Sequence, residues 1–159
     1  MNRVKVLSAL AALAVGGALA ANMAPAAAYT TFSVTFAIKD NDSTYGMIRT
    51  SGIPTGVTGL LSPAAAISAG STDPASGFAT FTGQYPGPGK SSSAILSYAK
   101  ASDQTSACSY TIKVSENSSG TLFTLHFDTS DSVRCPVPGD VSNGNGQFTN
   151  QTYVLNWQS

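Results

Sequence analysis

The sequence predicts an all-β fold, an antiparallel β-sandwich of about eight strands held by one disulfide. Three observations carry that expectation. Beyond residue 28, Ser and Thr make up 38 of 131 residues and charged side chains only 14. Ser competes with helix backbone for hydrogen bonds, Thr favours strands, and surface helices need more Glu and Lys than this chain has. Several segments alternate apolar and polar residues with period two, the mark of a half-buried strand. The only two cysteines, Cys108 and Cys135, follow a leader of the export type.

The leader comes first in the chain. Met1-Asn2-Arg3-Val4-Lys5 is a cationic start, residues 6–21 are an apolar run diluted by Ser8, Gly16 and Gly17, and Ala26-Ala27-Ala28 precedes Tyr29. Residues 1–28 therefore read as a secretory signal peptide cleaved after Ala28, with Ala18-Leu19-Ala20 as a second candidate site. The run is shorter and richer in Ala than the roughly 20 apolar residues of a spanning helix. No later stretch is long enough, and no Cys follows the run to carry a lipid. Residues 29–159 are expected to form one domain, secreted or periplasmic, with no membrane attachment after signal removal.

Strands are expected in order along that domain. In residues 30–39, Phe32, Val34, Phe36 and Ile38 share one face. Weaker strands are expected at 44–50, 77–85 and 93–100. Residues 51–76 contain Pro54, Pro63, Pro74 and four glycines and read as an irregular excursion, with one or two helical turns at 63–67 capped by Ser62. A connection this long is more often a functional or mobile loop than a neutral link. Cys108, Tyr110, Ile112 and Val114 alternate with polar residues, as do Phe123, Leu125 and Phe127, and a third run places Val133, Cys135 and Val137 on one side. These three read as a meander. The last strand, 147–157, puts Tyr153, Leu155 and Trp157 together on one face.

An even cysteine count in an oxidising compartment is read as a disulfide, Cys108–Cys135. The first and third strands of a flat meander lie about 9.5 Å apart, whereas bridged Cα atoms sit near 5.5 Å. The third run is therefore expected to leave the plane and cross to a facing sheet. A bridge pinning sheet to sheet resembles the arrangement in immunoglobulin-like architecture. The resemblance stops at architecture, because the cysteines are closer in sequence and Trp157, the only Trp, follows both.

The chemistry is read mostly by exclusion. Six basic against eight acidic side chains beyond residue 28 give no basic patch, so no nucleic acid is expected as partner. His126 is the only histidine; Asp128 shares its strand face, but no G-x-S-x-G elbow supplies a nucleophile. Glu116 is the only glutamate, and Asp40, Asp42, Asp73, Asp103, Asp131 and Asp140 fall in expected turns, where Asp serves backbone hydrogen bonding. No catalytic residue is therefore assigned. Residues 40–44 and 140–146 concentrate oxygen ligands without the EF-hand register, and one histidine is too few for zinc, so neither metal nor cofactor is expected.

Among Tyr29, Tyr45, Tyr85, Tyr98, Tyr110, Tyr153 and Trp157, the Gly/Pro-flanked Tyr85 is the one expected outside, as a possible sugar platform or as loop packing. Sequons at Asn41, Asn117 and Asn150 are discounted because the leader looks bacterial. The expected function is a non-catalytic binding or interaction module whose ligand is a protein or a carbohydrate, its ligand-binding residues unknown. A cell-envelope structural subunit such as a pilus or coat component is the alternative, and a small secreted enzyme, inhibitor or toxin the third.

Overall fold

The computed structural model describes residues 30–60, 66–74, 77–104 and 107–158. The expected signal peptide and its cleavage site lie outside these residues. Eleven strands form among them, in two sheets, and no helix. The five-stranded sheet contains β1 (Thr31–Asp40), β3 (Val57–Thr58), β5 (Thr72–Asp73), β6 (Ala79–Gln84) and β11 (Gln147–Trp157). Its path is β11-β1-β6-β3, with β5 also paired to β1. The six-stranded sheet contains β2 (Met47–Arg49), β4 (Ala66–Ile67), β7 (Ser91–Lys100), β8 (Ala107–Glu116), β9 (Phe123–Thr129) and β10 (Val141–Asn143), in the order β10-β9-β8-β7-β2-β4.

The strong alternations become the long strands. Phe32, Val34, Phe36 and Ile38 of β1 are fully buried, each contributing about 1.5–3 kcal/mol of apolar burial. Leu96, Tyr98, Tyr110, Ile112, Val114 and Leu125 are buried from the other sheet, and both sets belong to one hydrophobic cluster. The rings of Phe127 on β9 and Tyr153 on β11 lie 5.3 Å apart. Tyr110 Oη on β8 donates to the carbonyl of Asn156 on β11 at 2.7 Å.

The expected architecture needs four corrections. There are eleven strands rather than about eight, because β3, β4 and β5 are two-residue pairings inside the 51–76 excursion and β10 is a three-residue strand after it. The helical turn at 63–67 is not formed at its end, where Ala66–Ile67 is β4; its first residues lie outside the described ones. The pairing is not wholly antiparallel, since β1 runs parallel to β11. The third meander run is not a strand. Asp131 Oδ1 accepts the N–H groups of Val133 and Arg134, Cys135 N–H donates to Asp131 O, and Pro136 and Pro138 have no N–H to give a ladder. The third neighbour in the sheet is β10.

The disulfide ties the six-stranded sheet to a loop rather than to a strand of the other sheet. Cys108 and Cys135 are joined with Cα atoms 6.0 Å apart. The loop carrying Cys135 is fastened to the end of β11, where Asn156 N–H donates to Pro136 O at 3.1 Å and Gln158 N–H to Arg134 O at 2.7 Å. The crossing that the cysteine spacing requires is thus made by a loop.

The β1/β11 register carries one large irregularity. Val34 pairs with Phe148 and Phe36 with Tyr153, so residues 149–152 bulge opposite Thr35. Phe148 and Tyr153 are an odd number of residues apart and would face opposite ways in an unbroken strand. Both are buried, and the bulge is what returns them to one face. Across β1, Phe32 pairs with Gly83, where a Cβ would come within 2.8 Å of the Phe32 ring.

Two stability measurements check these contacts. Replacing both Cys108 and Cys135 by Ala opens a constraint of 27 residues and is expected to cost about 3.5 kcal/mol on the chain-entropy account, read by denaturant titration. Gly83→Ala forces the Phe32 ring from its place and is expected to cost about 1–3 kcal/mol, with no change in the disulfide.

Candidate binding face

The outward side chains of the six-stranded sheet are mostly hydroxyls, aligned by the strand register. Ser91, Ser115, Thr124 and Ser142 stand in one row across four strands. The next row is Ser93, Lys113 and His126, and the next Ile95, Thr111 and Asp128. Rows run at the interstrand spacing of about 4.8 Å. Thr124 Oγ1 and Ser142 Oγ share a hydrogen bond of 2.9 Å, and Ser97 Oγ and Ser109 Oγ one of 2.8 Å. Ile95, 54% exposed, is the one aliphatic side chain standing out among them. An open groove of about 280 Å³ adjoins the face at Ser92 and Ser93, with Thr55, Gly56 and Thr82 on its far side.

His126 lies on this face, but its partner is not Asp128. Antiparallel pairing of β10 with β9 brings Asp140 opposite, and His126 Nδ1 and Asp140 Oδ1 are 2.5 Å apart. The neighbouring hydroxyls of Thr124 and Ser142 bond to each other. Asp128 Oδ1 accepts the N–H of Thr129. Among the described residues no group of three or more His, Cys, Asp or Glu side chains is placed to hold a metal ion.

The second polar region is buried, at the end of β1. Asp40, Asp42, Arg49 and Asp73 are each at most 5% exposed. Asp40 Oδ1 accepts Asp42 N–H at 2.8 Å, and Asp42 Oδ1 accepts the N–H groups of Thr44 and Tyr45. Tyr98 Oη donates to Asp73 Oδ2 at 3.1 Å. Burial, and then the negative charge of Asp73, push the Tyr98 hydroxyl well above its ordinary range; burial, and then Asp40, do the same at Tyr110. Burial raises the Asp40 carboxyl to about 6, opposed by the Asp42 N–H and aided by the Asp42 charge.

The turn role read for Asp40 and Asp42 is present, but their burial was not anticipated, and Asp73 is a strand residue. Arg49 was missed. Its two-residue spacing from buried Met47 on β2 was the signal that it points inward.

The remaining candidates serve local structure. Glu116 Oε2 accepts Gly87 N–H at 3.0 Å. The backbone N–H groups of Arg134 and Val133 hold the exposed Asp131 carboxyl below its ordinary range. Asp103 lies in the turn after β7, as expected. In the 140–146 loop, Asn143 Oδ1 accepts the N–H groups of Asn145 and Gly146. Tyr85 is not the exposed platform: its ring stacks 4.5 Å from Phe123 and its hydroxyl donates to Asn145 O at 2.6 Å. Tyr110, Tyr153 and Trp157 are core. Tyr45 is the exposed tyrosine, with Lys100 Nζ 3.3 Å above its ring; Tyr29 lies outside the described residues.

No protein-family model, curated protein or solved structure matches the chain.

Tyr98→Phe deprives the Asp73 carboxylate of a donor in a dry site. It is expected to lower stability by about 1–3 kcal/mol, measured by chemical denaturation.

Proposed function

We propose that the protein is a secreted or periplasmic, non-catalytic binding module, a single β-sandwich domain whose ligand, protein or carbohydrate, is engaged through the outer face of the six-stranded sheet. The observation that carries the reading is the alignment of Ser91, Ser115, Thr124 and Ser142 in register beside Lys113, His126 and Asp140. The same strands bury their alternate residues in the core, so this row of groups is the part of the sheet that the core does not use. Hydroxyls with a few charges suit a polar partner, and Ile95 supplies an apolar contact within the face.

Export is supported by the leader and by the disulfide, which persists in oxidising compartments. No helix among the described residues is long and apolar enough to cross a membrane. The sandwich is supported by the single cluster to which both sheets contribute, and its layering is what makes the outer face a surface rather than an interior.

The strand edges favour this reading over a polymerising envelope subunit. The N-terminal strand that such a subunit would donate is here β1, hydrogen-bonded on one side to β11 and on the other to β5 and β6. The outermost strands β3, β4 and β10 have two, two and three residues, and β11 carries the 149–152 bulge. Short and bulged edges discourage strand addition.

The test combines a glycan array and a secretome pull-down with the full mature chain and two face variants. Lys113→Glu and Ile95→Asp are expected to weaken capture at least tenfold with unchanged thermal stability, and the free protein to elute as a monomer. Binding unaffected by both variants, or elution as a ladder of oligomers, overturns the proposal.

A further inference from the structure

The turn that follows β1 is built on a carboxyl with one bare oxygen. Asp40 is fully buried, and while Oδ1 accepts the Asp42 N–H, Oδ2 has no hydrogen-bond partner among the described residues. Among the described residues, the groups that shift Asp40 include no compensating cation. The turn itself contributes Asp42, a second carboxylate, and β8 contributes Tyr110, whose hydroxyl is committed to Asn156 O. On β5, Asp73 pairs with Ile38 and engages Tyr98 of β7, beside Arg49 of β2. Lys39, the adjoining residue, is exposed and points away from the buried face.

An ionised carboxylate without donors in a dry site is costly. A neutral one still accepts the Asp42 N–H through Oδ1 and strands no charge on Oδ2.

We propose that Asp40 is a proton-operated latch on the 41–46 turn, holding it closed as the neutral acid and loosening it when the proton is released to solvent. The element under control is well defined. Asp42 hangs on Asp40 Oδ1, Thr44 and Tyr45 hang on Asp42 Oδ1, and the Tyr45 ring lies against Lys100. Opening the turn hydrates Asp40 and frees this exposed aromatic. The inference goes beyond the binding face and does not depend on any ligand.

The direction follows from linkage. The closed turn holds the Asp40 proton up to about pH 6, whereas an opened, hydrated Asp40 releases it near the ordinary 3.8. The latch is fully effective below the ordinary 3.8, weakens as pH rises through about 6, and loses its pH dependence above about pH 7, where both states are ionised.

Amide hydrogen exchange of the full mature chain, corrected for intrinsic rates, reads this at Asp42, Thr44 and Tyr45. Their opening constants are expected to rise about thirtyfold between pH 4 and 6 and to level off near pH 7. Asp40→Asn should make them flat with pH. Asp42→Asn, which leaves Asp40 titratable and removes its charged neighbour, should shift the rise to lower pH and serves if Asp40→Asn does not fold. A wild-type Asp40 carboxyl carbon that titrates near 4 by NMR, or the same rise persisting in Asp40→Asn, overturns the proposal.

Discussion

Because β1 has hydrogen-bonded neighbours along both edges, its partners must come from distant parts of the chain: residues 72–84 on one side and 147–157 on the other. The first and last described strands therefore close the five-stranded sheet together, and in parallel. Neither half of the chain can complete that sheet alone. Such non-local pairing costs loop-closure entropy before contacts repay it, which makes slow, cooperative folding the expectation. The disulfide acts on the same seam. By tying β8 to the loop that rides on the end of β11, it shortens the longest of these closures from the other sheet.

What could be read from the sequence divides along the same physical line. Alternation over 32–38, 110–114 and 123–127 gave correct strands and correct buried faces because each is long enough for period two to dominate. The 133–137 run has the same pattern over a similar length, but local capping by Asp131 and the missing N–H groups of Pro136 and Pro138 defeated it. The two-residue strands β3, β4 and β5 have no period to display; they exist because a longer neighbour offers an edge. His126 was placed on the right face beside Asp128, but its hydrogen-bond neighbour Asp140 was not legible, since it arrives only through the β10 register. The odd spacing of Phe148 and Tyr153 was, in contrast, a legible sign of the bulge.

The Ser/Thr richness that first marked the chain as β also explains the character of the outer face. Small hydroxyl side chains satisfy one another across strands, as Thr124 does with Ser142 and Ser97 with Ser109. They leave a low surface on which Lys113, His126 and Ile95 project furthest by size. A face of this kind carries few charges, consistent with the low charge count, and presents many donors and acceptors. The fold places its large side chains inward and its outermost strands are short or bulged, so the proposed binding role would rest on a small number of outward residues.

The buried end of β1 obeys a different rule, in which the donors and charges around each carboxyl set how readily it takes a proton. Asp42 accepts two backbone N–H groups through one oxygen, and Asp73 accepts the Tyr98 hydroxyl beside the buried Arg49. Asp40 accepts one N–H and leaves Oδ2 bare. With three buried carboxyls and one buried guanidinium among the described residues, full ionisation would leave excess negative charge in a low-dielectric site, and the least-solvated acid is where a proton relieves it at least cost. The position of that acid matters more than its burial alone. It ends the strand on which the five-stranded sheet is centred and begins the turn that leads to β2, so the charge state of one carboxyl is coupled to the junction between the two sheets.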